Sequence, residues 1–244
     1  MILALLACGT PAGSAEDELA EALDAIGYTS GYEEPTAEGG VVVHRRDAVQ
    51  PGVTLVIAGH EPAARLVDID GNELHTWRSG FASTFGWRHT FERRRQWWRQ
   101  VELLPDGGLV GVWEPVGAFR IDRDSNVVWA VQDGAHHDLQ VLPDGRLLTL
   151  TEERGVDLGV DGIPMVAQYL VTLDLATGQE LDRVALAEVV EGWQALRTAF
   201  WELEDRRDSH LNEAGARKDP FHANSVHLLT AGEAAALGPP FQTG

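Results

Sequence analysis

Two copies of one strand–turn–strand pattern, Val101-Glu-Leu-Leu-Pro-Asp-Gly-Gly-Leu109 and Leu139-Gln-Val-Leu-Pro-Asp-Gly-Arg-Leu147, lie 38 residues apart. In both copies an apolar run enters a Pro-Asp-Gly turn and a second apolar run follows. Proline presets φ for a tight turn, and glycine accepts the positive φ that such a turn requires. The pattern therefore predicts repeated β-hairpins in an all-β protein.

A second shared element lies on the neighbouring hairpins. Three segments, beginning at Leu66, Arg120 and Leu173, pass from an apolar strand into a turn of acidic and small residues. Trp77 and Trp129 close the strands that follow the first two turns. A repeat of about 40 residues with four short strands is typical of a β-propeller blade, with the tryptophans packed between blades. A β-sandwich with chance internal similarity is the rival interpretation.

The repeat also divides the chain. Residues 1–14 form a leader, residues 15–40 form a short helix over about 16–26 and a linker, and residues 41–244 form the repeat domain. Two segments interrupt the repeats: residues 83–99 are rich in Arg and Trp, and residues 188–218 carry apolar residues at helical spacing. We expect a helical insertion in the second of these.

The leader predicts where the protein resides. Met1–Ala7 is a short apolar run, and Leu5-Leu6-Ala7-Cys8 resembles a bacterial lipobox, in which the cysteine is lipidated. No basic residue precedes the run, and it is shorter than a usual signal-peptide core; an incidental cysteine in a disordered N-terminus is the alternative. The lipobox interpretation predicts export to the cell envelope or periplasm, with Cys8 as lipid anchor and the only membrane attachment.

Composition excludes several classes of protein. The chain has 19 Lys and Arg against 38 Asp and Glu, a formal charge of −19, and a single cysteine. Such acidity repels phosphate backbones, so we expect no nucleic-acid partner. No apolar run approaches the roughly 20 residues that span a bilayer, and no disulfide framework can form.

Histidines at equivalent places in the repeat are the main candidates for chemistry. Aligning the repeats matches the segments that begin at Trp98, His136 and His222, each at the start of a first strand. First strands surround the channel of a propeller, and alternation puts His136 with Asp138 on one face and His222 with Asn224 on one face. With Arg99, these side chains suit anion binding or proton transfer near neutral pH. Structural polar residues at the strand entrance are the alternative interpretation.

Other motifs point to no further site. Asp122-x-Asp-x-Asn126 resembles the start of a calcium loop, but Val127 stands where such a loop has glycine, so a hairpin turn is favoured. The segment from Asp68 to Asn72 is likewise interpreted as a hairpin turn and not as a calcium loop. The sequence has no phosphate-binding loop, no nucleophile elbow and no cysteine-based metal spacing. We therefore predict no cofactor and no metal.

Three segments together resemble the arylsulfotransferase (arylsulfate sulfotransferase) family. These are Arg65-Leu-Val-Asp-Ile-Asp-Gly-Asn-Glu-Leu-His-Thr-Trp77, His136-His-Asp138 before Leu-Pro-Asp-Gly, and Phe221-His-Ala-Asn-Ser-Val226. The similarity covers roughly residues 41–230. It implies a six-bladed propeller, commonly exported, that moves a sulfuryl group from a phenolic ester to another phenol through a histidine and without a nucleotide donor.

The resemblance also implies roles for residues. His222 and Asn224 correspond to the sulfate-contacting pair, and His136-His137-Asp138 corresponds to the element that carries another channel histidine. Register with His222 favours His136 as the inward imidazole, whereas similarity to His-Asp elements of the family favours His137. We take His136, His137 and His222 as catalytic candidates, and Asn224, Asp138 and Arg99 as substrate-binding candidates.

The chain departs from the family at its end. The family's nucleophilic histidine and an arginine follow the His-x-Asn-Ser element, but no arginine or histidine follows His227 here. The expectation is thus a truncated member with about four blades at about 40 residues each, lacking the nucleophile. The expected partners are a phenolic sulfate donor and a phenol acceptor. A non-catalytic binding propeller at the cell surface, and another anion-processing hydrolase or metal-dependent enzyme, are the alternative functions.

Overall fold

The computed structural model describes residues 41, 43–86, 97–158, 164–189 and 219–239. All of them belong to the second of two compact units into which the chain divides, residues 40–244. The described part is all-β, with three antiparallel sheets and few helices. The leader with Cys8, the helix predicted over residues 16–26 and most of the two predicted insertions lie outside the described residues.

Each sheet is an antiparallel meander whose strands are neighbours in sequence. The first contains β1 (Val53–Ile57), β2 (Ala63–Asp68) and β3 (Glu73–Arg78). The second contains β4 (Gln100–Leu103), β5 (Leu109–Trp113), β6 (Gly117–Ile121) and β7 (Val127–Val131). The third contains β8 (Ala135–Val141), β9 (Arg146–Asp157), β10 (Pro164–Asp174) and β11 (Glu180–Ala185). The described part of the chain thus holds three sheets where about four were expected.

The repeated Pro-Asp-Gly segments form the hairpin turns that the sequence predicts. The N–H of Gly107 donates to the carbonyl of Leu104 between β4 and β5, and Gly145 donates to Leu142 between β8 and β9. Both glycines have positive φ, 83° and 85°. The repeat therefore reflects a repeated structural unit.

The acidic turns are also hairpin turns, as predicted; the calcium-loop interpretation was disfavoured. A carboxylate oxygen of Asp68 accepts from the N–H groups of Asp70 and Asn72. Asp122 does the same for Asp124 and Asn126. The side-chain amides of Asn72 and Asn126 also donate to these carboxylates, and together with the backbone hydrogen bonds they lower the pKa of Asp68 and Asp122.

The second sheet is packed on both of its faces, which explains why all five residues of β5 are buried. Leu109 and Trp113 belong to a core cluster shared with Ala64 and Trp77 of the first sheet. Val110 and Val112 belong to a second cluster shared with strands of the third sheet. Since side chains alternate along a strand, one run of apolar residues fills both interfaces.

Two tryptophans join adjacent sheets, as the repeat predicts. The indole Nε1 of Trp77, on β3, donates to the carbonyl of Gly107 at 3.1 Å. The indole Nε1 of Trp129, on β7, donates to the carbonyl of Leu175 at 3.0 Å. Each ring is buried, so its apolar surface and its hydrogen bond both contribute to the contact between sheets.

First strands of consecutive sheets lie beside each other through side-chain acceptors. The carboxylate of Glu102, on β4, accepts the N–H of Val141 on β8 at 3.0 Å. At the matching position on β8, Oε1 of Gln140 accepts the N–H of Leu228 at 2.6 Å. The segment 219–230 therefore lies beside β8 as β8 lies beside β4, and this places its histidines near those of β8.

Three short helices complete the described part. They are α1 (Phe81–Phe85), α2 (Leu186–Val189) and α3 (Ala231–Leu237). Thr230 and Glu233 form a capping box at the start of α3. None of the helices in the described part is long and apolar enough to cross a membrane.

Candidate functional site

A cavity of about 540 Å³ lies where β8, β9 and β10 approach the segment 219–230. Its wall combines polar and apolar side chains. The polar lining residues are Arg99, Glu114, His136, His137, Glu152, Arg154, Gln168, Asp219 and His222, and the apolar ones are Trp97, Pro115, Val166 and Ala223. All three catalytic candidates and Arg99 thus line one cavity.

A β-bulge in β8 directly follows His136 and contains His137. The pairing with β9 passes from His136↔Leu150 to Leu139↔Thr149, so His137 and Asp138 are extra residues on β8. His137 adopts a positive φ of 58°. The bulge breaks the predicted alternation, and both imidazoles line the cavity instead of pointing to opposite faces.

The two imidazoles contact each other directly. Nδ1 of His136 lies 2.9 Å from Nδ1 of His137, with the rings nearly perpendicular. One nitrogen must donate and the other accept, because two lone pairs or two protons would repel at that distance. His136 is 1% exposed. Burial lowers the pKa of His136, so its imidazole is neutral at neutral pH.

His222 approaches the pair from the segment 219–230. Its ring centroid lies 6.4 Å from that of His137, and its side chain is 72% exposed at the cavity mouth. Its backbone has a positive φ of 43°, and its N–H donates to Oδ1 of Asp219 at 2.9 Å. Among the described residues other than glycine, His137, His222 and Ser125 have a positive φ. Strained backbone concentrates at functional sites.

A buried glutamine contacts the chain on both sides of His222, through a backbone N–H on one side and a carboxylate on the other. Oε1 of Gln168, on β10, accepts the N–H of Ala223 at 2.8 Å. Nε2 of Gln168 donates to Oδ2 of Asp219 at 3.2 Å. The side chain is 2% exposed and both of its polar atoms are used. Gln168 therefore ties the segment with His222 to the third sheet.

Both arginines of the cavity are paired with carboxylates. Nε of Arg99 lies 3.2 Å from the Glu114 carboxylate, and Nε of Arg154 donates to Glu152 at 2.6 Å. With Asp219, the wall has two guanidinium groups and three carboxylates. The charged groups of the wall therefore sum to a net negative charge, and a net positive charge for an anionic ligand requires two protonated imidazoles.

Two of the predicted substrate-binding residues have other contacts. Oδ2 of Asp138 accepts the N–H of Val226, and Oδ1 accepts the N–H of Leu139. Nδ2 of Asn224 donates to the carbonyl of His222. Asp138 therefore ties β8 to the segment 219–230, and Asn224 braces the backbone of His222. Neither is among the residues that line the cavity.

The sequence patterns did not predict Gln168, Asp219, Arg154 or the two glutamates of the cavity. Gln168 had one usable signal, a polar residue inside the apolar run of β10 from Met165 to Val171, where burial requires hydrogen-bond partners. Glu114 and Glu152 had no such signal because they resemble any exposed glutamate in sequence. Their role depends on tertiary contacts alone.

Chemically, the cavity offers three imidazoles, carboxylates to orient them and guanidinium groups beside them. Such a set can transfer protons near neutral pH and contact an anionic ligand. Among the described residues, no group of three or more His, Cys, Asp or Glu side chains is arranged to hold a metal ion.

Comparisons with known proteins do not assign this chain to a family. No protein-family model matches the sequence, and no curated protein matches it. Matching solved structures include the crystal structure of BamB from Moraxella catarrhalis, at 12% sequence identity and a TM-score of 0.36. That match covers 61% of this chain and 41% of the BamB chain, so this chain spans less than half of the length of that structure. A likeness at this level assigns neither fold nor function.

Proposed function

We propose that the three sheets are consecutive blades of a β-propeller and that the protein is an arylsulfate sulfotransferase that needs no nucleotide donor. One observation carries the proposal: His136, His137 and His222, from two segments distant in sequence, converge on one cavity beside Arg99. These are the histidines that the family resemblance selects. Consecutive meanders with adjacent first strands support the propeller.

The chemistry requires a nucleophile, a proton donor and charge stabilisation. An imidazole lone pair attacks sulfur, the bond from sulfur to the aryl oxygen breaks, and the leaving phenolate takes a proton from a second imidazole. The acceptor phenol then attacks sulfur, loses its proton to that second imidazole, and the sulfur–nitrogen bond breaks. Guanidinium and imidazole donors stabilise the charge on the sulfuryl oxygens.

The described residues suit these roles in different ways. His136 is buried and neutral, so it retains a lone pair near neutral pH. His137 and His222 lie near carboxylates: Nδ1 of His137 is 3.8 Å from Glu114, and Nδ1 of His222 is 3.2 Å from Asp219. Trp97 and Pro115 provide an apolar surface of the kind that an aromatic ring contacts. The proposed substrates are a phenolic sulfate and a phenol.

A chromogenic assay tests the function. The chain is incubated with 4-nitrophenyl sulfate and phenol, with and without added imidazole, and release of 4-nitrophenolate is followed. We expect release that His222→Ala reduces by about tenfold or more, since positioned acid–base groups contribute about 10²–10⁴-fold. The matched control is His227→Ala, an exposed histidine of the same segment that does not line the cavity.

The requirement for added imidazole locates the nucleophile. Release that depends on added imidazole indicates that the nucleophile belongs outside the cavity described here, as expected from sequence. Release without it assigns the attack to a cavity histidine. Equal rates for His222→Ala and the unaltered chain would contradict the site assignment.

A second candidate function is non-catalytic binding of a ligand by the propeller. The observation that favours it is the pairing of both cavity arginines with carboxylates, which leaves no unpaired guanidinium in the wall for a transition state. Under this alternative, 4-nitrophenyl sulfate binds to the cavity, but no phenolate is released from it with or without added imidazole. Envelope localisation through Cys8 is proposed for both functions.

A further inference from the structure

We infer that Gln168 is a positioning residue that sets the tautomer of His222, so that Nδ1 carries the proton and Nε2 carries the lone pair. The tautomer follows from contacts of the described residues. The role that we give to the lone pair rests on the proposed sulfuryl transfer. It makes His222 the group that accepts the proton of the incoming phenol.

The direction of each hydrogen bond around Gln168 is fixed by one backbone group. The N–H of Ala223 can only donate, so the atom of Gln168 that faces it at 2.8 Å must be the carbonyl oxygen. The amide nitrogen Nε2 then faces Oδ2 of Asp219 at 3.2 Å and donates to it. Asp219 is thereby held as an acceptor on both oxygens, since Oδ1 accepts the N–H of His222.

The carboxylate in turn selects the tautomer of the imidazole. Nδ1 of His222 lies 3.2 Å from Oδ2 of Asp219. A lone pair on Nδ1 would repel the carboxylate at that distance, whereas a proton on Nδ1 is attracted to it. The proton therefore belongs on Nδ1 in the neutral ring, and Nε2 is left to accept a proton.

A second histidine of the same segment provides an internal contrast. Nε2 of Gln140 donates to Nδ1 of His227 at 3.2 Å, while its Oε1 accepts the N–H of Leu228. Nε2 of His227 faces the Glu233 carboxylate at 3.1 Å. Because a proton on Nε2 is attracted to that carboxylate, His227 has the opposite tautomer to His222, with the proton on Nε2. Two glutamines of the third sheet, on β8 and β10, thus hold two histidines in opposite tautomers.

In the proposed reaction the lone pair has a defined use. The oxygen of the acceptor phenol attacks sulfur, its proton passes to Nε2 of His222, and the resulting imidazolium is stabilised by Asp219. That proton later goes to the departing phenolate of the next donor, which restores the neutral ring. Gln168 does not contact substrate in this scheme; it acts through Asp219 and the backbone of Ala223.

Long-range ¹H–¹⁵N NMR of the imidazole nitrogens tests the tautomers without relying on activity. For the unaltered chain above the titration range of the histidines, we expect the protonated-nitrogen shift at Nδ1 of His222 and at Nε2 of His227. In Gln168→Met, which removes both hydrogen bonds, His222 should become a mixture of tautomers while His227 keeps its own. Gln140→Met is the matched control and should leave His222 unchanged.

Kinetics separate a positioning role from a merely structural one. We expect Gln168→Met to lower kcat by about tenfold with KM changed by less than about threefold, since proton transfer and not binding is affected. A proton on Nε2 of His222 in the unaltered chain would overturn the inference, whether or not the variant folds. If the expected tautomers are observed but no sulfuryl transfer is detected, the proposed function is wrong. The positioning role of Gln168 is then still supported.

Discussion

Asp133 carries a carboxylate that the fold buries with only part of its hydrogen-bonding capacity used. Oδ1 accepts the N–H of Ala135. Oδ2 is buried and has no hydrogen-bond partner in the part of the chain that the structure describes. Burial raises the pKa of Asp133 to about 6, and the backbone hydrogen bonds oppose that effect only in part.

The raised pKa makes the ionised carboxylate a cost to stability. The folded chain binds this proton more tightly than the unfolded chain, so the free energy of unfolding falls as pH rises from about 4 to about 6. We predict that Asp133→Asn, which keeps an acceptor for Ala135, stabilises the protein by up to about 3 kcal/mol at about pH 8. At about pH 4 the gain should vanish.

Urea unfolding of the variant at both pH values checks this prediction. Asp144→Asn is the control, because Asp144 is exposed and its hydrogen bonds with Arg146 lower its pKa. That substitution should give no gain at about pH 8. An equal gain for Asp133→Asn at both pH values would show that the carboxylate charge is not the cause.

Sequence identified the histidines of the site but not the residues that orient them. His136, His137 and His222 stood out because they occupy equivalent places in a repeat. Gln168 contacts Asp219 across 51 residues of chain, and local patterns carry no record of such a contact. The choice between His136 and His137 also needed the structure, since the bulge in β8 brings both into the cavity.

Among the elements, the hairpin between β10 and β11 supports Trp129 from the neighbouring sheet. Gly178 lies in this hairpin with a positive φ of 73°, and a Cβ built there would lie 2.7 Å from the Trp129 ring. The close approach lets the indole donate to the carbonyl of Leu175. Glycine is needed here for both its conformation and its lack of a side chain.

We predict that Gly178→Ala destabilises the protein by more than the backbone conformation alone explains. Gly145 is a matched control with a similar φ of 85°, and a Cβ there meets nothing within 4 Å. Gly145→Ala should cost about 1–2 kcal/mol from left-handed strain, and Gly178→Ala should cost roughly 2 kcal/mol more from overpacking. Equal losses in urea unfolding would contradict the packing of Trp129 on this hairpin.

Elements were more predictable than their irregularities. The Pro-Asp-Gly and acidic turns, and the strands beside them, follow from φ requirements and apolar runs that local sequence displays. The bulge at His137 and Asp138 does not, because the sequence that contains it also fits a regular strand. That bulge decides which side chains enter the cavity, so site geometry was less predictable than sheet order.

At the scale of the molecule, the sheets share their interfaces and the cavity lies beside the last of them. Two core clusters join the first sheet to the second and the second to the third. Side-chain acceptors then join β4 to β8, and β8 to the segment 219–230. The site therefore depends on sheet-to-sheet packing, and the proposed propeller is the arrangement that continues this pattern.

The most direct test of the proposed site is a titration of the chain with 4-nitrophenyl sulfate, monitored by NMR of all histidine imidazoles. We predict that His136, His137 and His222 shift together with one common Kd, while His75 and His227, outside the cavity, do not respond. A response spread over all histidines, or none at the three cavity histidines, would contradict the claim that they form one site for an aryl sulfate.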